Sequence, residues 1–327
     1  MKALVGALLI AGMTALVITP AARATAPGPN GRIAVEVDTP SAQQLITLNP
    51  DGTDRVALTQ PSPQTRDTAP AWSPDGTKVA FAHDDVNGIG NIDVINADGT
   101  RQHALTDCAD QSCGNGSPTW TPDGRQIVFE HCCVAGNGGL LDGIYVMNAD
   151  GSGLHALTIN PDINYGDGVP TVSPEGDWVA FTRTKTDPHN ATVGISAMFL
   201  IRLDGTGLHR ITSFQLMVDE KDWSPDGSTI VFTSHAGSNT GPFRADVFTI
   251  HPDGTDLTQL THTTPGQSFA FFPTWSPRGD RILFDFSPSH GCADMFTMRP
   301  DGSGVHQVTQ TAACESWSSW GRAPLIR

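Results

Sequence analysis

Residues Pro70–Phe81 read PAWSPDGTKVAF, and close copies of this stretch return around Trp120, Trp223 and Trp275. Proline fixes one backbone angle and glycine supplies a left-handed corner, so the Pro-Asp-Gly element predicts a tight turn between two short apolar strands. A stretch that returns in this way predicts a repeat architecture.

A second motif follows each copy, in which an apolar run ends in Asp-Gly and a short strand ends in Thr. The closing threonines lie 47 to 54 residues apart, at Thr59, Thr106, Thr158, Thr212, Thr261 and Thr309. That spacing suits a unit of four antiparallel strands, because two hairpins and the loop between them need about this length. A periodic set of four-stranded sheets is typical of a β-propeller, in which each sheet is one blade.

The number of blades follows from the two ends of the repeat. Gly31–Val35 matches the second strand of a unit, whereas the missing first strand is found at Ser318–Gly321. First strands of complete units lie near Trp72, Trp120, Val172, Trp223 and Trp275. The sequence therefore predicts an all-β propeller of six blades with four antiparallel strands each. Its ring is closed by one blade that both ends of the chain share, which leaves no unpaired strand edge there.

The recurring tryptophans are expected to pack between neighbouring blades, at Trp72, Trp120, Trp223, Trp275 and Trp320. Full burial of such a side chain contributes about 4 to 6 kcal/mol of gross transfer free energy. One unit has Val172 in the tryptophan position, and nearby Trp178 is expected to fill the same space.

Residues 1–26 fall outside the repeat and have the pattern of a secretory signal peptide. Lys2 precedes an apolar run from Ala3 to Ile18, and small residues then offer cleavage after Ala24 or Ala26. We therefore expect a signal peptide over residues 1–26 and a single propeller domain over residues 27–327. No cysteine directly follows the apolar run, so the sequence predicts a secreted or periplasmic protein without a lipid anchor or a membrane-inserted segment.

The chain is acidic, with 34 Asp and Glu against 19 Lys and Arg and a formal net charge of −15. This balance argues against nucleic acid and anionic membrane surfaces as partners. Many of the acidic residues belong to the hairpin turns, at Asp51, Asp75, Asp98, Asp123, Asp150, Asp204, Asp226, Asp253 and Asp301. The negative charge therefore does not by itself indicate a cation site.

Propeller topology assigns the loops to two faces. Both Asp-Gly hairpins of a blade lie on one face, which we name the hairpin face. The loop between the second and third strands and the linker to the next blade lie on the other, which we name the variable face. Loop length varies on the variable face only, at residues 131–143, 183–196, 234–245 and 286–293. Function is expected there, because a rigid sheet scaffold tolerates change in its loops.

All six cysteines map to the variable face, and in an exported chain an even number indicates disulfides. The sequence favours a bond between Cys292 and Cys314. The other four are Cys108, Cys113, Cys132 and Cys133. Three connectivities stay open for these four, although Cys132 and Cys133 are expected to pair outward rather than with each other. The alternative for this group is a metal site completed by His131.

Polar residues stand where each linker turns into the first strand, at Asp67, Asn115, Asp167, Asp219 and Glu315. They are expected to ring the mouth of the central tunnel, where they could bind a cation, a sugar or the end of a peptide. The alternative is that they hydrogen-bond the linker backbone. A second candidate site is spread over loops of the same face, at His83, Asp84, Asp85, His131, His235 and His290. These residue types could hold a metal ion.

The repeat resembles the TolB-type propeller, whose unit is marked by Trp-Ser-Pro-Asp-Gly and by a Tyr or Phe strand ending in Asp-Gly. The resemblance rests on Trp72–Gly76, Trp223–Gly227 and Asp294–Phe296, and it covers residues 30–322. It implies a periplasmic or extracellular six-bladed propeller that binds protein partners through one face and its tunnel. TolB also carries an additional α/β domain, which we do not expect in this chain.

Two classes of function follow. The favoured one is an exported, monomeric binding module with a protein or peptide partner, no catalytic residues and no cofactor or metal. The alternative is an extracytoplasmic metal-dependent carbohydrate-active enzyme, for which a divalent cation would lie in the tunnel. The same repeat occurs in prolyl-oligopeptidase-type serine peptidases, but their Gly-x-Ser-x-Gly motif does not occur in this sequence.

Overall fold

The computed structural model describes residues 28–39, 42–60, 62–85, 90–108, 113–133, 143–159, 165–187, 190–238, 241–288 and 291–322. The signal peptide predicted over residues 1–26 lies outside these ranges, as does His290. Within them, no helix has the length and apolar character needed to cross a bilayer.

The first twelve strands, in chain order, are β1 (Ile33–Thr39), β2 (Ala42–Leu48), β3 (Val56–Ala57), β4 (Thr65–Trp72), β5 (Lys78–Asp85), β6 (Gly90–Asn96), β7 (His103–Ala104), β8 (Cys113–Trp120), β9 (Gln126–Cys133), β10 (Gly143–Asn148), β11 (His155–Ala156) and β12 (Tyr165–Val172). The next twelve are β13 (Trp178–Asp187), β14 (Asn190–Arg202), β15 (His209–Arg210), β16 (Val218–Trp223), β17 (Ile230–Ser234), β18 (Asp246–Ile250), β19 (Thr258–Gln259), β20 (Ser268–Trp275), β21 (Ile282–Pro288), β22 (Asp294–Met298), β23 (His306–Gln307) and β24 (Cys314–Trp320). One 3₁₀ turn, Phe214–Leu216, is the only helical element of the described residues.

These strands form six antiparallel sheets of four strands each. Blade 1 has the order β24-β1-β2-β3, so the last strand of the chain pairs with the first. Trp320 lies opposite Ile33 in this pair, which confirms the shared blade. Blades 2 to 6 are β4–β7, β8–β11, β12–β15, β16–β19 and β20–β23. The fold is the all-β six-bladed propeller that the repeat predicted.

The Asp-Gly turns owe their recurrence to a compact hydrogen-bond pattern. Asp226 Oδ1 accepts from the Ser224 hydroxyl at 2.6 Å and from the Ser228 backbone N–H at 3.0 Å. These bonds, the one from Ser224 above all, lower the pKa of Asp226. Gly227 follows with a φ of +72°, a conformation that residues with a Cβ rarely adopt. The Asp-Gly order therefore suits this turn, and glycine keeps the same conformation at Gly176 and Gly279, where Glu175 and Arg278 replace the aspartate.

The hydrophobic core lies between the blades. Trp120 is 5% exposed and packs against Ile92 and Val94 of blade 2 and Phe129 of its own blade. Its indole N–H donates to the carbonyl oxygen of Ala71 at 3.1 Å. The other recurring tryptophans are buried in the same way, which confirms their predicted packing role.

In the unit without the recurring tryptophan, the space between the blades is filled by residues other than the one predicted. Val172 is buried in the cluster that joins blades 3 and 4. Trp178 packs on the next cluster, between blades 4 and 5, and lies edge-on to His209. The prediction that Trp178 fills the space left by Val172 was therefore wrong, because Trp178 begins the second strand and sits on the other side of its blade.

The structure describes the bonding of three of the six cysteines. Cys292 and Cys314 form a disulfide, as predicted. This bond ties the loop between β21 and β22 of blade 6 to the closing strand β24 of blade 1. Cys108 is also disulfide-bonded, so it has no thiolate to offer the alternative metal site. The side chains of Cys113, Cys132 and Cys133 lie outside the described residues, and their connectivity stays a prediction.

Candidate functional site at the mouth of the central channel

The first strand of every blade faces a central channel. Each contributes the residue three positions before the tryptophan position, and these six residues are Ala69, Ser117, Val169, Glu220, Phe272 and Trp317. Four blades place a proline next, whereas blade 5 places Lys221 and blade 1 places Ser318. The charged run Glu220–Asp222 makes blade 5 chemically distinct in the channel wall.

A β-bulge shapes this wall. At five of the six positions a residue other than glycine has a φ between +48° and +53°, at Ala69, Ser117, Val169, Phe272 and Trp317. Side chains of the preceding blade hold some of these residues by accepting from their backbone N–H. Glu130 binds Val169 at 3.2 Å, Thr233 binds Phe272 at 3.2 Å and Asp285 binds Trp317 at 3.1 Å. The strained conformation is therefore supported across blade boundaries.

Buried carboxyl groups lie directly behind the channel wall. Burial, joined by repulsion from Asp38, raises the pKa of Glu36 to about 8. Burial likewise raises the pKa of Asp285 well above its ordinary range, although the Trp317 N–H opposes the change. An acid of this kind keeps its proton to higher pH in the folded chain than in the unfolded chain.

These raised pKa values predict that the protein loses stability as the pH rises. Between the ordinary pKa of 4.5 and the folded pKa of about 8, folded Glu36 binds more protons than unfolded Glu36. The free energy of unfolding should therefore fall by about 2 to 3 kcal/mol from about pH 5 to about pH 7 through this group alone. Urea melts at several pH values measure how steeply the free energy of unfolding changes with pH, and Glu36→Gln should make this change less steep.

Asp98→Asn is the matched control for this pH experiment. Asp98 is an exposed turn acid whose pKa is lowered by the Thr100 hydroxyl, so its contribution is lost only in more acidic solution. In Asp98→Asn, the free energy of unfolding should change between mildly acidic and neutral pH as steeply as in the unsubstituted protein. An equal slope in Glu36→Gln would contradict the assignment to Glu36.

Four of the five residues predicted to ring the tunnel mouth are buried within their own blades, and the channel lining does not include them. Asp67 binds the His83 imidazole at 2.6 Å, and Asn115 binds the His131 imidazole at 2.7 Å. The other two residues form ion pairs with arginines. Asp167 accepts two hydrogen bonds from the Arg183 guanidinium, and Glu315 pairs with Arg55. A binding role for these four residues stays a prediction.

The second predicted group is divided among the blades. His83, Asp84 and Asp85 end strand β5, where burial raises the pKa of Asp84 to about 6. His131 lies in β9 of blade 3, and His235 directly follows β17 of blade 5. His290 lies outside the described residues. The structure therefore does not place the described members of this group in one cluster.

A smaller cluster does form, and it joins members of both predicted groups. Asp219 of the predicted ring and His235 of the predicted loop site meet Glu220, which the sequence analysis missed. One possible ligand atom from each of the three lies within 4.8 Å of the other two. The distance from His235 Nε2 to Asp219 Oδ2 is 3.5 Å. We name Asp219, Glu220 and His235 the mouth cluster.

The mouth cluster combines two acidic groups with one histidine, and burial changes the protonation of the groups around it. Burial, joined by repulsion from Asp219, raises the pKa of Glu220 to about 8. Neighbouring Lys221 is buried too, and burial lowers its pKa to about 8. Its ammonium group donates to the carbonyl oxygen of Val169 at 2.7 Å. Lys221 is thus held against blade 4, and the mouth cluster keeps an excess of acidic groups.

Aromatic side chains extend from the channel to the loops beside the mouth cluster. Phe272 stacks on Trp317 with ring centres 5.0 Å apart, and Phe271 lies edge-on to Phe272 at 5.1 Å. Phe243 lies 5.1 Å from Phe269 and 5.2 Å from the His235 ring, and it is 50% exposed. We name these five aromatic residues the aromatic rim.

Comparison with known proteins bears on the fold. Residues 53–197 match the family model of the TolB beta propeller domain. The uncharacterized protein Atu1656 of Agrobacterium fabrum is 30% identical over 157 residues, which make up 43% of this chain and 46% of that protein. TolB from Acinetobacter baumannii superposes with a TM-score of 0.69 at 19% identity, over 89% of this chain and 66% of that chain. An oligogalacturonate lyase solved in complex with manganese gives a TM-score of 0.54 at 13% identity, over 86% of this chain and 74% of that chain.

Six four-stranded blades around a lined channel define a six-bladed β-propeller. The match over residues 53–197 and the likeness to the TolB fold support a TolB-type propeller. The resemblance inferred from the Trp-Ser-Pro-Asp-Gly repeat is thereby confirmed. The chain spans less than half of Atu1656 and 66% of the Acinetobacter TolB chain.

Proposed function

We propose that this protein is an exported binding module that takes a short protein segment at the channel mouth on its variable face. One observation carries the proposal, namely that the aromatic rim and the acidic mouth cluster lie side by side. Aromatic side chains supply large contact areas at low entropic cost, and they are enriched where proteins bind proteins. The module acts as a monomer.

The chemistry of the rim points to a segment with a cationic end next to an apolar or aromatic residue. Asp219 and Glu220 would meet an amine or a guanidinium, and Phe272 and Trp317 would cover the apolar neighbour. The formal net charge of −15 favours the approach of a basic segment. Charge complementarity of this kind mainly sets the rate and the specificity of binding.

Two observations support export. Residues 1–26 have the charge, the apolar run and the small residues of a cleavable signal peptide. The disulfide between Cys292 and Cys314 suits an oxidising compartment, since such bonds are rare in reducing cytosol. A secreted or periplasmic location is therefore part of the proposal.

The enzyme alternative has less support among the described residues. His83 and His131 are each bound by a side chain of the adjacent strand in their own blade. The mouth cluster contributes a single histidine. We therefore do not propose a carbohydrate-active enzyme.

Selection from a random peptide library on the immobilised mature chain tests the binding function. Enriched peptides should carry a basic residue beside an aromatic or aliphatic one. Phe243→Ala and Glu220→Gln should each weaken their binding about tenfold, because each removes one of the two predicted contacts. Fluorescence anisotropy with the labelled peptide measures the affinity.

Leu208→Ala is the matched control for this binding assay. Leu208 is an exposed apolar residue of a hairpin-face turn, 47% accessible to solvent. Its removal should leave peptide affinity unchanged. The proposal is contradicted if no peptide is enriched, or if enriched peptides bind the Phe243→Ala and Glu220→Gln variants as tightly as the parent protein.

A further inference from the structure

We propose that Asp219, Glu220 and His235 form a binding site for one divalent transition-metal ion at the channel mouth. The side chains supply one imidazole nitrogen and two carboxylate groups, a set that zinc, cobalt and manganese accept. The metal ion would use the carboxylates that the proposed function offers to a basic segment, so the two would compete for them, and the test of the metal site needs no peptide.

The histidine is held in the orientation that a metal ligand needs. His235 Nδ1 lies 2.9 Å from the carbonyl oxygen of Arg244. Because a carbonyl oxygen only accepts, Nδ1 must carry the proton in this bond. Nε2 faces the Asp219 carboxylate at 3.5 Å, and it is the ring nitrogen that a metal ion would bind in place of the proton that this acceptor favours. Metal-binding histidines commonly use their other ring nitrogen in this way.

The backbone of β16 explains how two consecutive carboxylates reach the same site. In a regular strand, neighbouring side chains point to opposite faces of the sheet. The pairing of β16 with β17 shifts register between Val218 and Lys221, so Asp219 and Glu220 both lie in the bulge. The bulge releases their side chains from strict alternation and lets them converge on His235.

The dimensions of the mouth cluster suit a metal ion after a small adjustment of the side chains. Ligand atoms of an ion with bonds of ~2.1 Å stand about 3.0 to 3.4 Å apart. The three possible ligand atoms lie within 4.8 Å of one another, so rotations of half-buried carboxylates suffice to close the gap. Positions around the ion that face the channel would stay open to water or to a side chain of a binding partner.

The surroundings favour a cation at this point. Lys221, the neighbouring buried cation, is directed to the carbonyl oxygen of Val169. Phe243 packs against the His235 ring and shields one side of the cluster from solvent. One nitrogen ligand with two carboxylates disfavours calcium and magnesium, which prefer oxygen ligands alone.

Titration of the metal-stripped mature chain with zinc chloride tests the site, by calorimetry and by the visible absorption of cobalt as a substitute. One equivalent should bind. Asp219→Asn, Glu220→Gln and His235→Ala should each weaken the affinity by about tenfold or more, because each removes a direct ligand. His235→Gln, together with far-ultraviolet circular dichroism, guards against loss of folding as the cause.

His155→Ala is the matched control. His155 Nδ1 also binds a backbone carbonyl oxygen, that of Gly153 at 2.8 Å, but His155 lies on an exposed outer strand. Its removal should not change the affinity. The proposal is overturned by the absence of saturable zinc binding in the parent protein, or by equal affinity in the Glu220→Gln and His235→Gln variants.

Discussion

Replacing Trp120 by alanine is expected to lower the free energy of unfolding by about 3 to 5 kcal/mol. The indole fills the space between blades 2 and 3, where it is 5% exposed and contacts Ile92, Val94 and Phe129. Rigid sheets on both sides cannot collapse into the cavity that alanine would leave. The change also removes the donor to the carbonyl oxygen of Ala71.

Urea unfolding followed by circular dichroism measures the effect of Trp120→Ala. Leu154→Ala is a suitable control, because Leu154 is 54% exposed and should change stability by only about 0.5 kcal/mol. A loss of under about 1 kcal/mol for Trp120→Ala would show that the indole does not carry the packing between these blades.

Replacing both Cys292 and Cys314 by serine is expected to cost about 3 kcal/mol of stability. The bond closes a loop with a sequence separation of 22, and opening it frees the unfolded chain to sample more conformations. The bond also lies at the junction between blade 6 and the shared blade 1. Its loss should therefore weaken the closure of the ring in particular.

Two measurements separate these effects. Urea melts of the oxidised parent and the double serine variant give the change in global stability. Hydrogen exchange then shows whether β24 and β1 lose protection before the other strands. Equal urea midpoints for the two proteins would contradict a stabilising role for this disulfide.

The fold could be predicted from the sequence because its determinants are local and repeated. The Asp-Gly turns satisfy their own hydrogen bonds within five residues, as Asp226 shows. A tryptophan ends the first strand in five of the six blades, and Val172 takes its place in the remaining one. Ring closure could be inferred for the same reason, since the three strands of a repeat at one end and the missing first strand at the other imply one shared blade.

The surroundings of the polar residues were harder to predict, although the sequence held a signal. Asp67 and His83, Asn115 and His131, and Asp167 and Arg183 are each separated by 16 positions. A turn of constant length fixes the register of the first two strands, so residues at this separation face each other. The recurring separation of 16 positions could therefore be read from the sequence. Its meaning becomes clear only once the pairing register of the first two strands is known.

The complete mouth cluster could not be assembled from the sequence. Asp219 and His235 were predicted in separate groups, although they too are 16 positions apart. Glu220 was missed because it joins them only through the bulge in β16, which breaks the alternation of side chains. The departure from the repeat at residues 219–222, where other blades are uncharged and mostly carry proline, was the available indication.

The bulge in the channel wall has a consequence for how such propellers diversify. Five blades share one backbone geometry at this position, yet they place alanine, serine, valine, phenylalanine and tryptophan there. Residues this different are accommodated because they line the channel, and hydrogen bonds from the neighbouring blade hold the main chain of Val169, Phe272 and Trp317. Single substitutions at this position therefore change the inner surface of the ring and leave the sheets intact. New binding specificities can evolve in this way.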